Sequence, residues 1–165
     1  MIGVTFSKTE LRILRGVGKL RYEITSEQGV EMKQDPRKDP VQIAIDGVLT
    51  EYAVAKFLNL HFDLNCDYRK FGADLISHSG ALIDVKSTET MGGNLNATKR
   101  SLDKPADLFV LTEIRPSQVA IVGWIGRDRF LCDENLKDVG NGPFYSIPQT
   151  RLYPFYEIRD KEAIW

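Results

Sequence analysis

Four side chains carry the chemistry this sequence offers: Glu51, Asp74, Asp84 and Lys86. Asp84 and Lys86 alternate with Ile83 and Val85 in the run Ala81-Leu82-Ile83-Asp84-Val85-Lys86. The two-residue period of a strand then places both charges on one face and the aliphatic pair on the other. Alone, that pattern describes an exposed strand face whose ion pair contributes at most about 1 kcal/mol. An acid-x-lysine triplet also arises by chance roughly once or twice in a chain of this size, and Glu31-Met32-Lys33 is another instance. The stretch around Glu31 has no apolar strand run and no upstream aspartate at hairpin distance, whereas the stretch around Asp84 has both.

The upstream aspartate is Asp74. Ala73-Asp-Leu-Ile-Ser77 and Ala81 to Lys86 flank His78-Ser79-Gly80, a hairpin signal with glycine in a usable position. A three-residue loop sets Ser77 against Ala81 and Asp74 against Asp84. Like charges so placed, with Cβ atoms roughly 5 Å apart, are destabilising without compensation. A divalent cation between the carboxylates compensates, and hard oxygen ligands suit Mg²⁺, Mn²⁺ or Ca²⁺ better than zinc. A two-residue loop would instead turn Asp74 to the opposite face. The expectation is the three-residue loop.

Glu51 is anomalous for another reason. Its helical neighbours Gly47, Val48, Val54, Ala55 and Leu58 direct it toward a core, where an unpaired charge is strongly disfavoured. It needs a proton, a basic partner or a cation, unless the helix is rotated to leave it at the wet edge of the stripe.

These residues need elements to hold them. Ser7 to Glu10 has capping-box spacing, so a helix is expected to start near Lys8, with Ile13, Val17, Leu20 and Ile24 as its apolar stripe. Gly16 and Gly18 count against that helix. Residues 29 to 39 read as a polar loop. A second helix is marked by Asp39 as N-cap, Pro40 at the first position and Gln42 completing the cap. Ile45, Val48, Leu49, Tyr52, Val54, Phe57 and Leu58 make it apolar through about Leu60, a helix packed against a sheet. After the hairpin, residues 87 to 104 are polar, with room for a short helical turn. Asp107 to Thr112 and Val119 to Ile125 read as further strands, and Tyr153 to Trp165 as a tail that packs back.

Bulk composition excludes some classes. The chain has 165 residues, 42% hydrophobic and 27% charged, which is ordinary for one globular domain. No internal repeat or domain boundary is visible, so residues 1 to 165 read as one unit. No segment approaches the roughly 20 apolar residues of a membrane helix, and Met1 to Glu10 lacks the pattern of a secretory signal. Cys66 and Cys132 read as reduced thiols, so the expectation is a cytoplasmic protein away from membranes. A net charge of −1 argues against a protein held on DNA by a large basic surface.

Taken together, Gly47-x-x-x-Glu51 on a helix, Gly72-Ala-Asp74 and Ile83-Asp-Val-Lys86 resemble the PD-(D/E)XK, or restriction-endonuclease-like, nuclease superfamily over about residues 40 to 125. The resemblance implies an α/β fold with a central mixed β-sheet of four to five strands flanked by helices. It implies metal-dependent hydrolysis of phosphodiester bonds in DNA, with RNA the lesser alternative, and Mg²⁺ or Mn²⁺ as cofactor. Asp74, Asp84 and the Val85 backbone carbonyl become the expected ligands, with Glu51 a direct or water-mediated one. Lys86 becomes the residue that orients or helps deprotonate the attacking water. Two departures, Ala73 where the motif has proline and Asp84 where it often has glutamate, are both variations that the motif tolerates.

Outside the motif, Lys99, Arg100 and Lys104 are candidates for phosphate contact, although a solvated loop is the commoner fate of such residues. Phe109 and Trp124 read as core, and Arg127 and Arg129 as surface charges. The alternative to a nuclease is a nucleic-acid-binding or assembly protein that has kept the fold without turnover. A third reading makes these charges simple surface ion pairs. The lack of an obvious DNA-recognition module leaves specificity to a homodimer or a partner protein. Small members of this superfamily occur in phages and mobile elements, which would place such a protein in the host-cell cytoplasm.

Overall fold

A computed structural model describes residues 1–29, 38–67, 72–140 and 142–155. The expected loop at 29 to 39 falls mostly outside the described residues, as do Glu31-Met32-Lys33 and the tail from 156 onward. The chain runs through β1 (Ile2–Val4), α1 (Lys8–Glu27), α2 (Pro40–Leu58), β2 (Leu75–Ile76), β3 (Leu82–Thr88), β4 (Leu95–Thr98), β5 (Leu108–Arg115), β6 (Gln118–Gly126), α3 (Arg127–Phe130), β7 (Leu136–Lys137) and β8 (Phe144–Ile147). Five strands form one mixed sheet in the order β1-β6-β5-β3-β2, and β4-β8-β7 form a second. In the larger sheet β3 and β5 are parallel, while β1, β2 and β6 join antiparallel.

Both long helices start where their caps dictate. Ser7 and Glu10 close a reciprocal capping box on α1, and the Asp39 carboxylate accepts from Val41 N–H on α2. Gln42 does not complete that cap; its amide turns to Asp46 Oδ1 at 2.7 Å instead.

The helices pack on each other and α2 on the sheet. Ala53 and Val54 of α2 meet Ile83, Val110 and Ile121, the helix-side half of the core. The apolar stripe expected on α1 is displaced. Ile13 and Leu20 are 53% and 49% exposed, and the buried face is Leu14, Val17, Gly18 and Thr25. The cause is Gly18: a Cβ there would lie 2.6 Å from Ile45 Cα, so the bare glycine faces α2 and turns the stripe outward.

The opposite face of the main sheet is covered differently from expectation. Phe109, Leu111 and Ile125 pack under Leu95, Ala97, Tyr145 and Ile147, so the small sheet forms a third layer there in place of a long helix. Residues 87 to 104 contain β4 and a 3₁₀ turn at Lys99–Leu102. The tail packs back as far as it is described: Tyr153 and Trp124 exchange both backbone hydrogen bonds, and Phe155 is buried against Phe57. Among the described residues, no helix is long and apolar enough to cross a membrane.

Candidate active site

The hairpin takes the three-residue loop. Leu75 pairs with Ile83 and Ile76 with Leu82, and Ser77 N–H donates to Ala81 O at 2.9 Å. Gly80 has φ of 88°, the left-handed value that the turn requires and that glycine adopts without strain. The edge strand β2 then stops one residue short of Asp74. Asp74 N–H donates to Ile83 O at 3.0 Å, and its Oδ2 accepts from Val85 N–H at 2.8 Å. The carboxylate thus takes the place of the next β2 carbonyl in the ladder. The N–H and C=O of one strand residue project to the same side, so the Val85 carbonyl faces this same edge.

Asp84 lies on the face of β3 that looks toward the small sheet, level with Phe109 of β5. It is only 1% exposed and holds two ammonium groups: Lys104 Nζ reaches Oδ1 at 3.2 Å, and Lys86 Nζ touches Oδ2. The Lys86 contact is ionic and off the line of a good hydrogen bond, so Oδ2 is a buried oxygen without a well-directed donor. Burial pushes the Asp84 carboxyl up, but the two lysines outweigh it and hold it below the usual carboxylate range. Lys104 is the counterpart: burial pulls it down, and Asp84 followed by Asp74 holds it above the usual lysine range.

Glu51 enters from the helical side and has found its basic partner. Arg21 of α1 donates to Oε2 at 2.6 Å and with its other nitrogen to Asp63 O at 2.9 Å, while its guanidinium lies over Phe62. Burial still raises Glu51 above its ordinary value, with Arg21 opposing. Asp74 is raised as well. Desolvation, then the charges of Glu51 and Asp84, push its carboxyl up to about 8, against the pull of Lys104 and Lys86. Arg21, Thr25, Glu51, Asp74 and Lys104 line one open pocket of about 190 Å³.

The expected residues therefore meet, with changes of role. Glu51, Asp74, Asp84 and Lys86 share one electrostatic neighbourhood, and the Val85 carbonyl faces its edge. Lys104 joins it as a partner of Asp84. Lys99 and Arg100 are exposed on the 3₁₀ turn and join no ion pair with the acids. Phe109 and Trp124 are core residues as expected, whereas Arg127 is no simple surface charge. Its guanidinium donates to Leu102 O at 2.6 Å, Lys104 O at 2.7 Å and Ala106 O at 3.2 Å, which fixes the segment that delivers Lys104. Arg21 was legible only indirectly. It stands four residues after Val17 and four before Thr25, on the buried face of α1, opposite a core-facing acid.

A divalent cation fits this donor set in kind. Asp74 is a carboxyl pushed up by burial and then by the charges of Glu51 and Asp84, Asp84 Oδ2 is a buried oxygen without a directed donor, and the Val85 carbonyl faces the same edge. Among the described residues no group of three or more His, Cys, Asp or Glu side chains is arranged to hold a metal ion. The ligand set would thus be two carboxylates, a main-chain oxygen and water, an ordinary arrangement for Mg²⁺.

Compared with known proteins, the chain matches no family model, no curated protein and no solved structure.

Proposed function

We propose that the chain is a divalent-metal-dependent nuclease that hydrolyses phosphodiester bonds in DNA, built on a restriction-endonuclease-like core. The observation that carries this reading is the position of Asp74: its carboxylate closes the β3 edge on Val85 N–H, beside a buried Asp84 that is flanked by Lys86 and Lys104. Mg²⁺ or Mn²⁺ held by Asp74, Asp84 and the Val85 carbonyl would supply Lewis-acid stabilisation and a more acidic bound water. Lys86, an ammonium beside Asp84, orients the attacking water and helps to neutralise the negative charge that develops on the phosphate, while the water's proton leaves to solvent. Lys104 places a second positive charge where negative charge grows on the phosphate. Arg21 opposes the effect of burial on Glu51 and orients its carboxyl at the pocket, from which it can hold a metal-bound water. Specificity for one DNA structure then comes from a second copy or a partner protein.

Titration calorimetry with Mg²⁺ or Mn²⁺ tests the first step of this reading. The wild type should bind and Asp74→Asn/Asp84→Asn should not; equal heats from both proteins would remove the site.

One observation favours a second reading, a nucleic-acid-binding or assembly protein without turnover. Arg21 answers Glu51, and Lys86 and Lys104 answer Asp84, so the charges are already largely balanced within the chain. DNA binding without cleavage in every divalent cation would favour it.

A further inference from the structure

The outer surface of α1 carries a line of cations that the fold does not use. Lys8, Arg12, Arg15 and Lys19 follow at steps of four, three and four residues and are all exposed. At 100° per residue these steps place all four within a sector of roughly 60°, rising over about 16 Å of helix. Among the described residues none of the four has an ion-pair partner. Glu10, the acid of the first turn, is turned away to Tyr52 and Lys56.

This arrangement costs the helix stability. Like charges at i,i+4 repel, and Lys8 and Arg12 stand near the positive end of the helix dipole. Rigidity accompanies the cost, because the capping box, the Gly18–Ile45 contact and the Arg21–Glu51 pair fix how α1 is turned. A rigid row of unpaired cations is offset by an anionic surface with charges repeated along a line. An anionic membrane is the poorer match: a membrane-surface helix sinks a continuous apolar face into lipid, whereas Leu14, Val17 and Gly18 of α1 are packed inside the protein and Ile13 and Leu20 are two separate exposed side chains.

We infer that the outer face of α1 is a binding surface for the phosphate backbone of a nucleic acid, separate from the pocket residues. The inference deepens the nuclease reading and rests on it for the identity of the anion. It also places the basic surface that a net charge of −1 hides.

The experiment is fluorescence-anisotropy binding of a labelled DNA duplex in Ca²⁺ or in EDTA, across a salt series, with wild type and Lys8→Gln/Arg12→Gln/Arg15→Gln/Lys19→Gln. Exposed glutamines at these helical positions remove the like-charge repulsion, so the thermal melt should stay at or rise above that of wild type, which circular dichroism checks. For the wild type, log Kd should change with log salt with a slope that falls by roughly 2 to 4 in the variant, at about 0.9 per lost phosphate contact. Affinity at low salt should drop at least tenfold. Equal slopes and affinities overturn the inference, even if the wild type cleaves DNA. Binding to vesicles of phosphatidylserine and phosphatidylcholine that depends on the four residues, with no loss of DNA binding, overturns it in favour of a membrane surface. A wild type that binds through these residues but cuts nothing upholds the inference and removes the nuclease reading.

Discussion

Asp74 Oδ2 lies 2.8 Å from Val85 N, so a side chain completes a β-ladder at the point where its own strand ends. That bond fixes the carboxylate on the edge that the Val85 carbonyl also faces, and it couples the end of β2 to the strand carrying Asp84 and Lys86. The cost is a carboxyl among other acids, and the consequences of that cost can be measured.

In metal-free buffer Asp74 should make the fold less stable as pH rises. Its carboxyl is raised from the ordinary 3.8 to about 8 in the folded protein. Between those values the folded state keeps a proton that the unfolded chain has released. The contribution is therefore fully present below the unfolded value and is lost as pH rises to and through the folded one. Melting temperatures in EDTA should fall between pH 5 and 8.5 for wild type and fall less for Asp74→Asn. Parallel curves would show that Asp74 is ionised throughout. Added Mg²⁺ should raise the wild-type melt most at the alkaline end, where no proton has to leave.

Glu10 should act in the opposite direction. The Lys56 ammonium, followed by the Ser7 backbone, holds its carboxyl down at about 2. Its contribution is present above the unfolded value near 4.5 and is lost as pH falls through about 2. Glu10→Gln should lower stability at pH 7 and flatten the acid limb of the stability profile. An acid limb identical to that of wild type would remove this assignment.

The two glycines of α1 should respond in opposite senses. Gly18→Ala drives a Cβ to 2.6 Å from Ile45 Cα, backbone against backbone, and should destabilise by about 1–3 kcal/mol. Gly16 has nothing within 4 Å of the added methyl, so Gly16→Ala should stabilise by about 0.5–1 kcal/mol. Urea unfolding of the pair checks both, and equal effects would contradict the packing of α1 on α2.

Arg127→Ala should lower stability by about 1–3 kcal/mol by leaving carbonyls of the 102–106 segment without their donor. It should also weaken cleavage through Lys104. If Lys104 is placed only by this clamp, the double variant Arg127→Ala/Lys104→Ala should cleave no worse than Lys104→Ala, a non-additivity that steady-state rates reveal.

Much of the site was legible because its signals are local. Asp39-Pro40 marks where α2 begins, the alternation through Ile83 to Lys86 marks β3, and Gly80 after Ser79 selects the loop that decides where Asp74 falls. The remainder depends on partners far away in sequence. Periodicity showed that α1 has an apolar stripe but not how a bare Gly18 would rotate it. β4 and β8 are four-residue strands that stabilise each other across about fifty residues, too short for alternation to stand out. Arg21 and Lys104 join the site through single long side chains, and Arg127 holds the loop that carries Lys104.

The central claim is tested most directly by cleavage of labelled single-stranded, double-stranded and branched DNA in Mg²⁺, Mn²⁺, Ca²⁺ or EDTA, with wild type beside Lys86→Ala. The expected result is cleavage of at least one substrate in Mg²⁺ or Mn²⁺, abolished by EDTA and reduced by about 10²-fold or more in the variant. Lys86→Arg should fail as well, since a wide guanidinium fork does not replace a compact ammonium against a buried carboxylate. No cleavage of any substrate in any metal, or cleavage that survives EDTA or the loss of Lys86 at the wild-type rate, would contradict the claim.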